Sequence, residues 1–331
     1  MTKIDLKDRK ILYHLDLDSR QPLSQIGKKV GLPKSVVSYR IDKLKKLGVI
    51  KNLYTVINLY KLGYNILRFY FTYQYATPEI KKEIIDYFRK LKYAGVIHSV
   101  EGDYDLVVYI FIKNLSEFYS IWEKTLTKYR DYFATQTLSF YYQENMYNNA
   151  FLIDEKTDRK RVDVYGDKST VEIDELDLKI LAHLSPNARI PASEIAKQLN
   201  VTTVTIANRI KKLIDLKVIQ WFRTSIDFTK LGYRWYKVDI VLKDLKKLQP
   251  ILDYIKVNPN FVGVDRTLGY VDLELEFYLK NISEIHKIME ELSIKFPNTI
   301  RNYKYVYVIE TYRYEYFPLN AEDINKKIEM L

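Results

Sequence analysis

The chain has no cysteine. Disulfides, thiolate metal sites and cysteine nucleophiles are therefore excluded at the outset. Glycine is scarce, ten in 331 residues, and neither a phosphate-cradling loop nor a dinucleotide fingerprint can be built from those ten. No uninterrupted apolar run reaches the roughly 18 residues of a membrane-spanning helix. The opening MTKIDLKDRK is charged where a secretory leader carries its apolar core. No spacing among the four histidines, His14, His98, His183 and His286, suggests a metal site or a catalytic triad. The expectation is a soluble, cytoplasmic protein without a catalytic residue, metal or cofactor of its own.

What is present is positive charge in one kind of place. The net charge is +11, which points to a polyanionic partner. Residues 1–64 hold 14 Lys/Arg against 5 Asp/Glu, and residues 173–233 hold 9 against 6. Residues 65–150 and 234–331 are each balanced, with 10 against 10 and 15 against 15. The excess is thus confined to two segments of about sixty residues.

Those two segments are copies of each other. Shifting the chain by 169 aligns 4–64 with 173–233 without a gap, and 26 of the 61 positions are identical. IDLKDRKILYHL at Ile4 returns as IDELDLKILAHL at Ile173, and both copies end in KLGY. Beyond that point GDYDL at Gly102 answers GYVDL at Gly269, and KNLSEF at Lys113 answers KNISEI at Lys280. A repeat of this length is too long for a solenoid and indicates tandem duplication of a two-domain unit. The intervening 153–172 is polar and charge-rich and is expected to be a linker.

Each copy opens with two aspartates three apart, Asp5 with Asp8 and Asp174 with Asp177, the pattern of a helix N-cap. A second short helix ends at Gly31 or Asn200, residues that tolerate the left-handed C-terminal position. A third carries one apolar stripe, Val37, Ile41, Leu44 and Leu47, repeated as Ile206, Ile210, Leu213 and Leu216. Three short helices with a tight turn before the last make a helix-turn-helix, and the β-like run after GVI or KVI is the expected wing. With the stripe set aside, the third helix exposes Lys34, Ser35, Val36, Ser38, Tyr39, Lys43, Lys45 and Lys46 in the first copy. The second exposes Thr203, Val204, Thr205, Asn208, Lys211 and Lys212. In this motif N-terminal residues of the third helix reach base edges and basic residues further along meet phosphates. The ordinary alternative for such a face is solvation alone. After each helix-turn-helix the pattern runs β-α-β-β-α-β, a ferredoxin-like order, over 65–152 and 234–318. Helices are expected at 78–92, 115–129, 244–257 and 282–295. The fold class is α+β: two copies of a winged helix-turn-helix domain followed by a ferredoxin-like βαββαβ domain. A short amphipathic helix is expected over 319–331.

With IDxxDxKILxHL, RIxKLxxLxVI and KLGY in both copies, and VEGDYDLVVYIF in the first, the chain resembles the leucine-responsive regulatory protein/AsnC family of transcription regulators. The resemblance spans roughly 4–150 and 173–318. It implies binding of double-stranded DNA, self-association through the ferredoxin-like domains, and an amino-acid effector. The positions it implies for the effector are the turns at Gly102, Asp103 and Asp105, and at Gly269 and Asp272. A Gly-x-x-Asp turn equally serves the hairpin itself. Three departures stand out. Pro33 replaces the usual N-cap serine of the third helix and is expected as its first helical residue. Lys217 replaces the usual glycine after it (Gly48 in the first copy), so that helix end is expected to differ. The family typically carries one unit per chain, whereas this chain carries two, either as an intrachain pseudo-dimer or as halves pairing between chains.

Two rival readings follow from the same residues. Sirohaem decarboxylases resemble this fold and occur as fused pairs, with His and aromatic residues around the middle strands. Here only His98 lies there, and the sequence aligns Val264 with it. A protein-interaction module is the other, since 30 tyrosines suit interfaces, although aromatics also favour strands.

Overall fold

The computed structural model describes residues 2–153, 159–166 and 169–319. The first unit runs α1 (Leu6–Leu17), α2 (Leu23–Val30), α3 (Lys34–Lys46), β1 (Ile50–Ile57), β2 (Asn65–Tyr73), α4 (Pro78–Lys90), β3 (Ala94–Gly102), β4 (Leu106–Ile112), α5 (Leu115–Tyr129) and β5 (Phe133–Tyr147). After β6 (Arg161–Tyr165) the second repeats it as α6 (Glu175–Leu184), α7 (Ala192–Leu199), α8 (Thr203–Asp215), β7 (Ile219–Ile226), β8 (Arg234–Leu242), α9 (Leu248–Ile255), β9 (Phe261–Leu268), β10 (Leu273–Leu279), α10 (Ser283–Lys295) and β11 (Ile300–Tyr314). One 3₁₀ turn, Leu245–Lys247, occupies the start of the helix expected from residue 244. The helix expected over 319–331 lies, beyond Leu319, outside the described residues.

The two ferredoxin-like sheets are joined within the chain. Strand order is β2-β4-β3-β11-β8-β10-β9-β5-β6, and β2 also pairs with β5, which closes a barrel of eight strands. Closure depends on two 15-residue strands that each serve both units. The first half of β5 pairs with β2 of its own unit, and its second half, Phe140–Met146, pairs with β9. The first half of β11 pairs with β8, and Val306–Tyr314 pairs with β3. The pairing that the family resemblance assigns to two chains is thus made inside one.

The DNA-binding modules are joined in the same way. The runs after GVI and KVI form one strand per unit, and the partner of each is its counterpart: β1 pairs antiparallel with β7. Tyr54 faces Arg223, and these positions are 169 apart, so the pseudo-twofold axis passes between them. Chain ends cross over as well. Ile226, Phe228 and Leu231 pack into the core of the first module with Ile11, Val37 and Leu44. Val56, Ile57 and Leu59 pack into the second with Ile180, Ile206 and Leu213. Reciprocal bonds close the exchange: Asn58 N donates to Val218 O at 2.8 Å, and Asp227 N to Val49 O at 2.8 Å.

The stretch expected as a linker contains a strand. β6 pairs with the end of β5, and Val164 and Tyr165 are buried in the core beside Tyr60 and Tyr141. Its apolar alternation, RVDVY, is short and lies among charges, so composition hid it.

The strands are buried on both faces, and the faces differ in kind. From β2, Leu67, Phe69 and Phe71 lie with Phe88 of α4 and Phe118 of α5. The intervening Arg68 and Tyr70 point the other way, into the barrel. Burying a guanidinium costs several kcal/mol unless it is paired. Arg68 is fully buried, and Glu274 stands 2.7 Å away with Asp265 at 3.6 Å. The faces of Tyr70, Tyr109 and Tyr141 also surround it, at 4.3–5.2 Å from ring centroid to guanidinium. Lys237, the pseudo-equivalent of Arg68, pairs with Glu274 and reaches Asp239 at 2.7 Å. Burial pushes the Glu274 carboxyl up, but Arg68 and Lys237 outweigh it and hold the group below its usual range. Burial wins at Asp265, raised to about 6.

The same register corrects one alignment. His98 faces Val107 across β3–β4 as Asp265 faces Glu274 across β9–β10. The shift of 167 that matches Gly102 to Gly269 makes Asp265, and not Val264, the counterpart of His98. The pseudo-equivalent positions have diverged from a neutral base to an acid.

Replacing Arg68 with Met leaves Glu274 and Asp265 facing one fewer cation in the barrel. The expected loss is about 3–5 kcal/mol of unfolding free energy, measured by urea denaturation. A change below about 1 kcal/mol would show that the pair contributes little.

Candidate nucleic-acid interface

Each helix-turn-helix is set by local contacts that the aspartate pattern foretold. Asp5 accepts from Asp8 N at 2.8 Å and Asp8 accepts from Asp5 N at 3.3 Å. Asp174 and Asp177 repeat the capping box at 3.0 and 3.3 Å. An arginine from the third helix locks each box: Arg40 reaches both Asp5 and Asp8 at 2.8 Å, and Arg209 reaches Asp174 and Asp177. Burial pushes Asp5 and Asp174 up, but the backbone amides and these arginines prevail and hold both below the usual range. Gly31 and Asn200 end the second helices in the left-handed region, at φ 65° and 53°. Gly27 is needed one turn earlier, because a Cβ there would lie 2.5 Å from the Leu32 carbonyl oxygen in the turn.

The third helices place their stripes inward. Val37, Ile41 and Leu44 are buried, as are Ile206, Ile210 and Leu213. On the outer face of α3, Lys34, Ser35, Tyr39, Lys43, Lys45 and Lys46 are exposed, and Val36 and Ser38 are half-buried. On α8, Thr203, Val204, Asn208, Lys211 and Lys212 are exposed, and Thr205 is half-buried.

Two expected details come out differently. Pro33 is not the first helical residue: with ψ at 149° it is still extended, and α3 begins at Lys34 without a side-chain cap. Thr202 does cap α8, accepting from Thr205 N at 3.0 Å. Lys217 does not change the helix end. It takes φ 60°, beside Gly48 at φ 66°, because the same chain reversal into the paired strands β1 and β7 is imposed on both units. A non-glycine residue there costs roughly 1–2 kcal/mol.

The faces differ most in their compensation. Lys212 is exposed yet donates to Asp177 at 2.9 Å, beside Arg209. At the positions of Lys45 and Lys46 the second copy has Ile214 and Asp215. Lys230 of the second unit caps the far end of α3, donating to Leu47 O at 2.7 Å. Sequence reading missed Lys230 and the Asp177 pairing because both partners are remote in the chain.

Comparison with known proteins agrees with this geometry. Residues 4–51 match the winged helix-turn-helix DNA-binding family, and residues 173–214 match the AsnC-type helix-turn-helix domain. An uncharacterised HTH-type transcriptional regulator of Pyrococcus furiosus is 46% identical over 103 residues, which are 31% of this chain and 70% of that protein. The HTH-type transcriptional regulator FL11 of the same organism is 36% identical over 116 residues, 34% of this chain and 74% of that one. This chain belongs to the leucine-responsive regulatory protein/AsnC family. Like the rest of that family's helix-turn-helix proteins, it is a DNA-binding transcription regulator. Its whole length also superposes on the crystal structure of the sirohaem decarboxylase NirDL, with a TM-score of 0.64 at 13% identity, covering 98% of this chain and 97% of that one. At that identity the likeness is one of fold. Among the described residues no helix is long and apolar enough to cross a membrane.

The turns that the family resemblance marks for an effector are structurally committed. Asp105 accepts from Tyr73 N at 2.7 Å, and Asp272 accepts from Leu242 N at 2.7 Å, each pinning the end of a neighbouring strand. Gly102 has φ 130°, and a Cβ there would meet the Tyr305 carbonyl oxygen at 2.3 Å; Gly269, at φ 81°, faces open space. Asp103 lies 3.8 Å from Lys304.

Because Lys217 holds a left-handed conformation, Lys217→Gly should stabilise the chain by about 1 kcal/mol in thermal or urea unfolding. Gly48→Lys should lower stability by a similar amount. A destabilised Lys217→Gly protein would mean the side chain makes a compensating contact.

Proposed function

We propose that the chain is a cytoplasmic, non-enzymatic regulator whose two unlike third helices read double-stranded DNA as a covalent pseudo-dimer. In this reading Lys34, Ser35, Val36, Ser38 and Tyr39 approach base edges, and Lys43, Lys45 and Lys46 meet phosphates. From the second unit Thr203, Thr205 and Asn208 approach bases, with Lys211 and Lys212 behind them. The observation that carries the reading is the unequal compensation of the two faces. The lysines of α3 stand exposed, whereas Lys212 is drawn onto Asp177. The first helix therefore supplies most of the phosphate affinity, and the second adds discrimination. A homodimer reads an inverted repeat because its halves are identical; this chain is under no such constraint.

An amino-acid effector at Gly102, Asp103, Asp105, Gly269 and Asp272 belongs to the same proposal and rests on the family resemblance. The enzymatic alternative rests on the likeness of fold to a sirohaem decarboxylase. Sirohaem added to the purified chain and followed by its absorption spectrum tests it, a spectral shift favouring the enzyme.

A protein that neutralises about 6–10 phosphates loses some 10³–10⁵ in affinity between 50 and 200 mM salt. The triple change Lys34→Ala, Lys45→Ala and Lys46→Ala should weaken binding to every duplex and flatten the salt slope by up to about three. Lys211→Ala with Lys212→Ala should do less. Fluorescence anisotropy on a random-pool-selected duplex measures both. Equal losses from the two helices would contradict the asymmetry, and no duplex preference at low salt would overturn the function.

A further inference from the structure

The layer formed by β1 and β7 does not seal perfectly onto the barrel. Between them lies a cavity of about 260 Å³, bounded by Tyr54 and Arg223–Ile226 on one side and by His98, Trp235, Glu276 and Thr311–Tyr314 on the other. Four residues that line it carry buried polar atoms without a hydrogen-bond partner: His98 Nε2, Asn149 Oδ1, Thr224 Oγ1 and Trp235 Nε1. His98, Asn149 and Thr224 are only 2–4% exposed. Each such group costs about 1–3 kcal/mol, and buried polar atoms are seldom left unpaired in numbers at one place.

The other end of the pseudo-symmetric barrel shows what a filled version looks like. The counterparts of Trp235, Glu276, Tyr278 and Thr311 are Ile66, Tyr109, Phe111 and Glu144. They line a cavity of only about 30 Å³ together with Tyr165 of β6. Tyr165 also packs its ring 5.2 Å from that of Tyr60. One end has been plugged with an aromatic ring by the inter-unit segment, and the other keeps a polar-lined space of aromatic size.

The chemistry of the open end is neutral and flat. Its walls include Tyr54, Phe228, Trp235, Tyr278 and Tyr314. The cation that reaches its interior, Arg223, is already paired with Asp16 through Nε at 2.9 Å and Nη2 at 2.7 Å. Burial pushes the Glu276 carboxyl well above its usual range, so it is an uncharged donor. Burial also holds His98 down, to about 3, with Nδ1 3.0 Å from Thr311 Oγ1. The unpartnered set is therefore an indole N–H, an amide oxygen, a hydroxyl and a neutral imidazole nitrogen. A zwitterion or an anion would find no unpaired counter-charge there. Drug-sized sites run to roughly 300–1,000 Å³, so the occupant is smaller.

We propose that this cavity is a binding site for an uncharged planar heteroaromatic of nucleobase size, held by Thr224, Asn149, His98 and the Trp235 N–H between aromatic walls. It is distinct from the effector turns at Gly102 and Gly269. Its occupant touches both the strand pair of the DNA-binding modules and the barrel.

The test is calorimetric titration of the full chain with adenine, guanine, hypoxanthine, cytosine, uracil and thymine, and in parallel with the standard amino acids. At least one base should bind one to one and change tryptophan fluorescence. Thr224→Val and Trp235→Phe should each weaken that binding at least tenfold. Neither should lower the melting temperature of the unliganded chain, because the atoms removed have no partner to lose. Absence of binding by every base at millimolar concentration would overturn the proposal, as would binding of amino acids alone. Affinity unchanged in both variants would overturn it too. Should a variant not fold, the wild-type fluorescence change on adding the base reads the Trp235 contact directly, and its absence counts against the site.

Discussion

The structure depends on strands that belong to two sheets at once. β5 and β11 each begin as the last strand of their own ferredoxin-like unit and end as the edge partner of the other. An open sheet edge is a row of unpaired backbone groups that invites association with another chain. Here each unit covers the exposed edge of the other, and the barrel has no free edge along this seam. β1 and β7 repeat the device one layer out. Neither helix-turn-helix core is complete without residues that follow the strand of its twin. Separating the units would therefore open two edges and two cores together.

Closure also explains why a charged network can survive at the centre. Residues of β2, β4, β8 and β10 that point away from the helices have nowhere to go but the interior. Filling that interior with Arg68, Lys237, Asp239, Asp265 and Glu274 is tolerable only if each charge is met, and the tyrosines contribute ring faces and hydroxyls. Tyr141 donates to Asp265 at 2.5 Å and Tyr270 to Asp239 at 2.6 Å. Much of the tyrosine richness that suggests sticky surfaces is spent inside. Tyr70, Tyr109 and Tyr141 are each buried.

How much of this was legible in the sequence depended on range. The aspartate pairs announced the capping boxes, the three-and-four spacing announced the stripes, and Gly31 and Asn200 announced the helix ends, because each signal lies within a turn of its consequence. The repeat announced two units and the alternation after KLGY announced the sheets. Sequence could not show that RVDVY completes a sheet or that β1 finds β7. Lys217 holding a glycine's conformation was equally hidden, since those outcomes are set by partners more than a hundred residues away or by the frame the partner imposes. On the binding faces the residue types were readable, but the neutralisation of Lys212 by Asp177 was not. The lining of the cavity was less legible still, because His98, Asn149, Thr224 and Trp235 share no local pattern.

Fusion of the two units has a physical consequence at the axis itself. In a symmetric dimer a residue on the twofold axis faces its own copy, so an arginine there would oppose an arginine in a buried place. In this chain Arg223 faces Tyr54 instead, and its charge is met by Asp16 at 2.7 Å. The position equivalent to Asp16 in the second unit is Ser185, so the ion pair exists on one side only. The same freedom separates His98 from Asp265, Arg68 from Lys237, and the open end of the barrel from the end that Tyr165 fills. Symmetric oligomers must duplicate every substitution, favourable or not. A covalent pseudo-dimer keeps the shared strands that hold the halves together, yet lets each half acquire its own charge, its own cap and its own cavity.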